Sequence, residues 1–392
     1  MTDDDVARAR AETPGCAEVV HLNNAGAALP PACVTDTVIG HLRAEALRGG
    51  YETADAAAPA IAAAYASIAR LLNADSSDIA LLDSATTAWQ AVFYALPLGP
   101  GDRILTCRTE YTSNAISFLQ VTRRTGATVE FVADDDTGQL DVADLARRMD
   151  DRVKLIALSH VPSHSGMVNP AEAVGEIAER AGVPFLLDAC QSAGQLDLDV
   201  RRLRCDALSA TGRKFLRGPR GTGFLYVGPR LRNALEPAHL DMHSADWIAP
   251  DRYRIRPDAR RFESWESNVA SHLGLGAAVD YALSWGLPAI EERVGTLASY
   301  LRARLNETPG VTVLDRGERQ CGIVSFTVHG RPADEVKQTL LAAGINTSTN
   351  TANNAQYDLV PRGILDLVRA SVHYYNTVDE LDRLVATIQP PA

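Results

Sequence analysis

Lys214 is the residue of this chain best suited to covalent chemistry, because lysine is otherwise nearly absent. The sequence contains 35 arginines and only three lysines, Lys154, Lys214 and Lys337. Arginine stays protonated, whereas a partly buried lysine can lose its proton and attack an aldehyde to form a Schiff base. Lys214 lies between a predicted strand at 206–210 and a glycine-rich turn whose N–H groups could bind an anion. This arrangement indicates a Schiff-base site, although a lone lysine can also be a surface cation.

Other polar residues directly follow predicted strands, which is where ligands gather in open α/β sheets. Ser84, Ala85 and Thr86 follow one strand and open a helix, and the free N–H groups of a helix N-terminus bind phosphate. Asp188 ends the strand of PFLLD and could hold a protonated ring nitrogen. Tyr111 follows a further strand and could stack on a planar ring. Each residue also has an ordinary structural interpretation, as an N-cap, a turn residue or a core aromatic side chain.

The elements that must position these residues alternate between strand and helix up to about residue 228. Apolar runs predict strands at 79–82, 103–107, 128–132, 153–159, 184–187, 206–210 and 223–227. Helical patterns lie between them, at 56–74, 84–96, 113–125, 142–149 and 170–181. Such alternation predicts an α/β fold with a mostly parallel sheet and helices on both faces.

The alternation stops after residue 228. The stretch 240–261 is polar and predicted to be irregular, and 271–308 predicts two helices broken near Gly286. Strands at 311–314, 322–328 and 368–372, with helices at 333–343 and 378–388, predict a smaller α+β domain. We therefore expect an N-terminal arm at 1–20, a large domain at 21–283 and a small domain at 284–392.

The composition excludes several classes of protein. The net charge of −11 argues against binding to nucleic acid or to an anionic membrane surface. No long uncharged apolar run and no signal-peptide pattern is seen, so we expect a cytoplasmic protein. The six cysteines are scattered, without a CxxC pair or a Cys/His cluster of metal-binding spacing. We therefore expect free thiols in a reducing compartment and no metal site.

The motifs of the chain, taken in order, resemble those of fold-type I pyridoxal-phosphate enzymes, specifically the class V aminotransferase or cysteine-desulfurase-like group. They are HLNNAGAALP, DSATTAW, LSHVPSHSG, VPFLLDACQSAG, ATGRKFLRGPRGTGFLY, FESWESNVASHLGLGAA and VRASVHYYNT. Each is weak alone, but together they cover nearly the whole chain. The resemblance implies a large domain with a seven-stranded type of sheet, pyridoxal 5′-phosphate as cofactor, an amino-acid substrate and a homodimer.

The resemblance also implies a role for each matching residue. Lys214 would form the Schiff base, Asp188 would keep the ring nitrogen protonated, and Arg369 would bind the substrate α-carboxylate. The other implied contacts are Ser84, Ala85, Thr86, Thr211 and Arg213 for the phosphate, Tyr111, Ser163 and Gln191 for the ring, Ser267 or Asn268 for a neighbour's phosphate across the dimer, Asn24 for the substrate, and His164 as a candidate catalytic group.

Two departures from the family pattern bear on the reaction. Ser163 stands where relatives often carry asparagine, which puts that ring contact in doubt. Desulfurases also need a nucleophilic cysteine on a mobile loop before the carboxylate-binding arginine. The corresponding stretch here, 345–358 (INTSTNTANNAQYD), contains none. The sequence therefore disfavours sulfur transfer through a persulfide.

The predicted reaction is β-elimination from an S-substituted cysteine, which gives a thiol, pyruvate and ammonia. This prediction comes from resemblance: residues 49–51 and the turn 163–166 are similar to C–S lyases that act on ergothioneine precursors and on thiol-conjugated lincosamide intermediates. Transamination, epimerisation and decarboxylating oxidative deamination remain alternatives within the family. A non-catalytic protein of the same fold is a further alternative, which the intact set of Lys214, Asp188 and Arg369 argues against.

Overall fold

A computed structural model describes residues 1–389 of the chain. The strands are β1 (Val20–His21), β2 (Ile79–Leu82), β3 (Arg103–Thr106), β4 (Thr128–Phe131), β5 (Val153–Ser159), β6 (Phe185–Asp188), β7 (Ala207–Thr211), β8 (Gly223–Val227), β9 (Ala245–Ala249), β10 (Arg252–Ile255), β11 (Val311–Val313), β12 (Ile323–Val328), β13 (Ile345–Asn346), β14 (Ser348–Thr351) and β15 (Asp366–Ser371). The helices are α1 (Asp3–Ala11), α2 (Asn24–Ala27), α3 (Ala32–Arg48), α4 (Gly50–Ala56), α5 (Ala58–Leu72), α6 (Ala85–Phe93), α7 (Thr112–Thr125), α8 (Val142–Arg148), α9 (Ala171–Ala181), α10 (Val200–Leu203), α11 (Pro229–Ala234), α12 (Val269–Trp285), α13 (Leu287–Asn306), α14 (Ala333–Ala342) and α15 (Val378–Ile388).

A seven-stranded sheet forms the centre of the larger part of the molecule. Its order is β2-β8-β7-β6-β5-β3-β4, and β8 runs antiparallel to both of its neighbours while the other pairs are parallel. Strands β6, β7 and β8 are buried along their whole length, as expected for strands covered by helices on both faces. The predicted α/β fold with a mostly parallel seven-stranded sheet is confirmed.

The chain topology brings the ends of distant segments to one edge of this sheet. Strands β2, β3, β5, β6 and β7 all finish there, and β8 starts there at Gly223. A Cβ atom on Gly223 would overlap the backbone at Ser84 and Ala85, so glycine is required where β8 passes the start of α6. This edge is therefore where side chains from separate motifs can meet.

A second, four-stranded antiparallel sheet forms the smaller part, in the order β11-β12-β15-β14. Helices α13 and α14 pack against it, and α15 packs against these two helices. The expected domain boundary at residue 283 falls in the last turn of α12, which ends at Trp285. The division into an arm and two domains stays a prediction.

The loop 163–167 joins the two sheets. The Ser325 hydroxyl donates to the His164 carbonyl over 2.7 Å, and the Gly166 N–H donates to Asp315 Oδ1 over 2.9 Å. Asp315 is buried and paired with Arg302, with 2.9 Å between Nε and Oδ2. A Cβ atom at Gly166 would overlap Arg302 and the carbonyl of Ile323, so this loop depends on a glycine to reach the second sheet.

Two stretches differ from the sequence prediction. The segment 240–261, predicted to be irregular, contains the antiparallel hairpin of β9 and β10. Its side chains are mostly exposed, so the strands lack the apolar pattern that would reveal them. The sequence predicted no helix before residue 56, yet α3 is 17 residues long. Only Val34 and His41 of α3 are buried, which leaves little apolar periodicity to detect.

No single helix in the described part of the chain is long and apolar enough to cross a membrane. Helices α12 and α13 reach that length and composition only when taken together, and they are bent by 80° at the break between them.

Candidate active site

One cavity at the carboxyl edge of the large sheet collects most of the residues that the sequence singled out. Ten of them line it: Ser84, Ala85, Thr86, Tyr111, Ser163, Asp188, Gln191, Thr211, Arg213 and Lys214. They come from five separate segments, each at or just after the end of a strand of the sheet: β2, β3, β5, β6 and β7.

Lys214 lies in the loop between β7 and β8 and is 7% exposed. Its Nζ lies 5.9 Å from the centre of the Tyr111 ring. Burial lowers the pKa of the Lys214 amine to about 8, and the nearby Arg213 and Arg369 act in the same direction, while Asp188 opposes them. About a tenth of this amine is therefore neutral at pH 7, far more than for an exposed lysine, and the neutral form is the one that attacks an aldehyde.

Asp188 is the last residue of β6 and is buried beside Lys214. Its Oδ1 accepts a hydrogen bond from the Cys190 N–H over 2.9 Å, and its Oδ2 accepts one from Asn114 Nδ2 over 3.0 Å. These two donors fix the plane of the carboxylate. It is suited to accept a further hydrogen bond from a protonated ring nitrogen.

The first turn of α6 also lines the cavity. The Ser84 hydroxyl caps this helix by accepting from the Thr87 N–H over 3.1 Å. The N–H groups of Ala85 and Thr86 belong to the first turn and have no partner within the helix. Thr211 and Arg213 line the same cavity, so a hydroxyl group and a guanidinium accompany these free N–H groups. Such a set of donors is suited to a phosphate group.

Residues 20–29, which follow the predicted N-terminal arm and are called the arm from here on, lie against Arg213 and Gln191. Arg213 Nη1 donates to the Gly26 carbonyl, and the Ala28 N–H donates back to the Arg213 carbonyl over 2.9 Å. Gln191 Nε2 donates to the Ala25 carbonyl over 3.2 Å. The arm therefore holds both side chains in place beside Lys214.

The cavity fits pyridoxal phosphate on an observation independent of resemblance. Gln191 is buried, and its Oε1 has no hydrogen-bond partner among residues 1–389, although buried polar atoms are nearly always paired. A ligand with a hydroxyl group could donate the missing hydrogen bond to Gln191 Oε1. The residues that would hold the cofactor are Lys214, Asp188, Gln191, Tyr111 and the first turn of α6.

Arg369, on β15, adjoins the cavity from the small sheet. Its Nη1 donates to the Ser163 carbonyl over 2.7 Å and its Nη2 to Asn23 Oδ1 over 3.2 Å, while its Nε is buried without a partner in the described residues. Burial lowers the pKa of Arg369 to about 10. No carboxylate of residues 1–389 pairs with this guanidinium, which is an arrangement suited to receiving a carboxylate from a substrate.

Besides Arg369, four other predicted residues do not line this cavity. The Asn24 amide is occupied by the protein, because its Nδ2 donates to the Ser371 carbonyl over 2.7 Å and its Oδ1 accepts from the Tyr375 hydroxyl. The His164 ring is turned away to the Asp358 carboxylate, at 2.9 Å. Ser267 and Asn268 line a second cavity that shares Asp83 and Gly221 with the first. The roles expected for these four residues stay predictions.

Sequence reasoning missed Asn23 and two residues beside Asp188. Asn23 contacts Arg369, but the motif NNAG does not distinguish it from Asn24. Glu110 and Asn114 lie behind Tyr111 and Asp188, and both are buried. Glu110 lies shortly after the predicted strand 103–107. A charged residue near the end of a strand was the signal that could have revealed Glu110.

Comparisons with known proteins identify a matching family, similar sequences and similar structures. The sequence model of the family described as "Aminotransferase class-V" matches residues 20–384. A probable cysteine desulfurase of Methanothermobacter thermautotrophicus is 28% identical over 395 residues, covering 99% of this chain and 98% of the relative. The structure of a cysteine desulfurase from Thermococcus onnurineus NA1 is 26% identical, with a TM-score of 0.91 over 99% of this chain and 98% of that one. The cystine C–S lyase C-DES, in complex with its product cysteine persulfide, is 25% identical, with a TM-score of 0.87 over 96% of this chain and 100% of that one.

The lowered pKa of Lys214 generates a testable prediction. Cofactor-free protein should combine with pyridoxal phosphate at a rate that rises with pH, with a midpoint near 8, because only the neutral amine attacks the aldehyde. Stopped-flow absorbance across pH 6 to 10 measures this rate. Lys214→Ala should abolish the absorbance change, whereas Lys154→Ala, which removes an exposed lysine, should leave it unaltered. A midpoint near the value of about 10.4 that is typical of an exposed lysine would contradict the prediction.

Proposed function

The chain belongs to the class V aminotransferase family and is a pyridoxal-phosphate-dependent enzyme that acts on amino acids, and from this premise we propose that it is a carbon–sulfur lyase. Its reaction would convert an S-substituted cysteine and one water into a free thiol, pyruvate and ammonium. The Cβ–S bond breaks, the sulfur leaves with its electron pair and takes a proton, and the released aminoacrylate hydrolyses. No external oxidant or reductant is required.

Arg369 would hold the substrate at its α-carboxylate. The side chain is buried, its bound oxygens are neutral, and its Nε is free of partners in the described residues. A bidentate carboxylate would satisfy Nε and compensate a buried positive charge. Because Asn23 and the Ser163 carbonyl fix the guanidinium, the α-carbon of a bound amino acid would be directed toward Lys214.

Lys214 and Asp188 would carry the proton chemistry. When bound, the cofactor supplies an electron sink for the α-carbon of the substrate. The Lys214 amine, with its pKa lowered to about 8, is suited to take the α-proton and to return it elsewhere. Asp188, held by the Cys190 N–H and by Asn114, would retain a proton on the ring nitrogen.

The observation that favours a lyase over a desulfurase is the segment 345–358. It contains no cysteine, and side-chain contacts hold it in place at three of its residues, Asn354, Tyr357 and Asp358. Thr112 Oγ1 donates to the Asn354 carbonyl over 2.6 Å, and the Tyr357 and Phe131 rings lie 4.3 Å apart between centres. Asp358 is buried and binds His164, Arg316 and Arg362. A mobile loop that delivers a thiol does not match this arrangement.

The six cysteines of the chain also disfavour sulfur transfer. Cys190 is the one that lines the cavity, and burial, with the nearby Asp188, raises the pKa of its thiol well above the usual value. Burial likewise raises the pKa of Cys321, to about 11. A protonated thiol is a poor nucleophile toward a substrate sulfur. The remaining cysteines, at 16, 33, 107 and 205, do not line the cavity.

The relatives support cleavage at sulfur but not its outcome. Similar curated proteins of Methanothermobacter thermautotrophicus and Halalkalibacterium halodurans are described as probable cysteine desulfurases, and C-DES is described as a cystine C–S lyase. Desulfuration is therefore the second candidate function. It would give alanine and enzyme-bound sulfur from cysteine, in place of pyruvate and a thiol.

Product analysis distinguishes these candidates. Purified holoenzyme should release benzyl thiol and pyruvate in equal amounts from S-benzyl-L-cysteine, and also act on L-cystine. Thiol reagent absorbance and lactate dehydrogenase coupling measure the two products. Lys214→Ala should reduce the rate by at least about three orders of magnitude, because base and Schiff-base functions are lost together.

Controls separate the alternatives. Cys190→Ala should keep lyase activity, since the proposed reaction uses no protein thiol. Alanine from L-cysteine, with the persulfide sulfur released as sulfide by an added dithiol reductant, would establish desulfuration instead if Cys190→Ala abolished both products. A keto acid that retains the benzylthio group would establish transamination, and either result would overturn the lyase proposal.

We further propose that the enzyme is a homodimer located in the cytoplasm. Segment 240–265 and its neighbourhood carry several exposed apolar side chains, Met242, Trp247, Ile248, Tyr253 and Trp265. They lie on the same segment of the chain as Ser267 and Asn268, which line the cavity next to the phosphate end of the site. Apolar exposure on this scale is typical of protein interfaces.

Light scattering coupled to size-exclusion chromatography tests the dimer. We expect twice the mass of the 42.1 kDa chain. Trp247→Glu should shift the protein toward monomer, because it places a charge in the proposed interface, whereas Arg252→Glu on the exposed end of the same hairpin is a matched charge-changing control. A wild-type monomer at micromolar concentration would contradict the proposal.

A further inference from the structure

Glu110 is a buried carboxylate directly behind the candidate active site, and neither the sequence motifs nor the proposed reaction gives it a role. It is 3% exposed and immediately precedes Tyr111 and helix α7. It does not line the cavity. Uncompensated buried carboxylates are costly, so its retention there requires a compensating set of contacts.

Glu110 accepts four hydrogen bonds, and each donor belongs to the active-site edge of the sheet. Its Oε1 accepts from the Tyr111 N–H over 2.7 Å, from Asn114 Nδ2 over 2.9 Å and from the Ser159 hydroxyl. Its Oε2 accepts from the Thr106 hydroxyl over 3.0 Å. Thr106 and Ser159 are the last residues of β3 and β5, so Glu110 joins the ends of both strands to the start of α7.

Asn114 connects Glu110 with Asp188. The same Nδ2 that donates to Glu110 Oε1 over 2.9 Å also donates to Asp188 Oδ2 over 3.0 Å. The amide has two hydrogens, one for each carboxylate, and the reversed orientation would turn its oxygen toward two acids. Glu110 therefore determines which way the Asn114 amide points, and through it the position of the Asp188 carboxylate.

The charge of Glu110 also supports an effect of this residue on Asp188. Burial raises the pKa of Glu110 and the nearby Asp188 adds to this effect, whereas the hydrogen bonds from Ser159, Asn114 and Tyr111 oppose it. Four donors and no acceptor around Glu110 match a carboxylate, which accepts hydrogen bonds and donates none. A second negative charge behind Asp188 would favour a proton on a ring nitrogen bound in front of it.

We propose that Glu110 is a positioning residue that acts through the Asn114 amide, holding Asp188 and the Tyr111 backbone in place so that the cofactor ring nitrogen stays protonated. This inference rests on the role assigned to Asp188 in the proposed function. Glu110 touches neither substrate nor cofactor, and its effect reaches the ring only through Asn114, Asp188 and Tyr111.

Nuclear magnetic resonance of pyridoxal phosphate labelled with ¹⁵N at the ring nitrogen tests the proposal without any substrate. The ¹⁵N shift reports directly whether the bound ring nitrogen carries a proton. Wild-type holoenzyme should give the protonated shift, and Asp188→Asn should move it toward the neutral one. Glu110→Gln should give a value between the two and weaken cofactor binding about tenfold, the effect of losing one charge-assisted hydrogen bond.

Two further variants keep the result decisive. Asn114→Leu removes the bridging amide but keeps both carboxylates, so it should reproduce the shift of Glu110→Gln, and it decides the question if Glu110→Gln does not fold. Asp78→Asn removes another buried carboxylate, which pairs with Arg232. Asp78 lies just before the first residue of β2, at the end of that strand away from the site, so this variant should retain the wild-type shift. Circular dichroism melting curves establish that each variant is folded.

The outcomes separate the two proposals. An unchanged shift in Asp188→Asn would refute the role of Asp188, and with it the site assignment. A changed shift in Asp188→Asn with wild-type shifts in Glu110→Gln and Asn114→Leu would refute only the role of Glu110. Weaker cofactor binding without a change of shift would assign Glu110 a purely structural role and overturn the proposal in the same way.

Discussion

An excess of buried positive charge at one edge of the large sheet is the constraint on which the site depends. Lys214 and Arg369 are buried there, Arg213 is half-buried beside them, and Asp83 and Asp188 are the carboxylates that line the cavity. No carboxylate of residues 1–389 forms an ion pair with Lys214 or Arg369, and burial lowers the pKa values of both. A phosphate at the start of α6 and a carboxylate at Arg369 would supply the missing negative charge. The site is therefore incomplete without an anionic cofactor and an anionic substrate.

Three separate parts of the chain meet to hold these cations. The arm, residues 20–29, reaches the loop of Lys214 and also pairs through β1 with β13, in a separate two-stranded sheet. Arg217, fully buried three residues after Lys214, donates to the Leu29 carbonyl of the arm and to the Tyr374 hydroxyl of the small part. Its positive φ of 63° shows that the loop adopts a backbone conformation unusual for arginine at this junction. Displacement of any one of these parts would thus disturb the position of the Lys214 loop.

The sequence allowed much of this to be predicted, because the strands of the large sheet are short apolar runs that end in polar residues. Predicted strands at 79–82, 153–159 and 223–227 match β2, β5 and β8 in both bounds. What could not be predicted depends on contacts between distant segments. The Ser159 hydroxyl reaches Glu110 only when β3 and β5 lie side by side, and Asn23 rather than Asn24 reaches Arg369 only once the arm is folded back. The exposed hairpin of β9 and β10 buries too little to leave a pattern.

The most direct test of the central claim, that Lys214 is the residue which binds the cofactor covalently, is borohydride reduction of the holoenzyme followed by peptide mass spectrometry. Reduction makes a lysine–cofactor Schiff base permanent, and the chain has only three lysines to distinguish. The account predicts a stoichiometric phosphopyridoxyl group on the peptide that contains Lys214 and none on those of Lys154 and Lys337. Modification of Lys154 or Lys337 in place of Lys214, or no modified lysine at all, would contradict it.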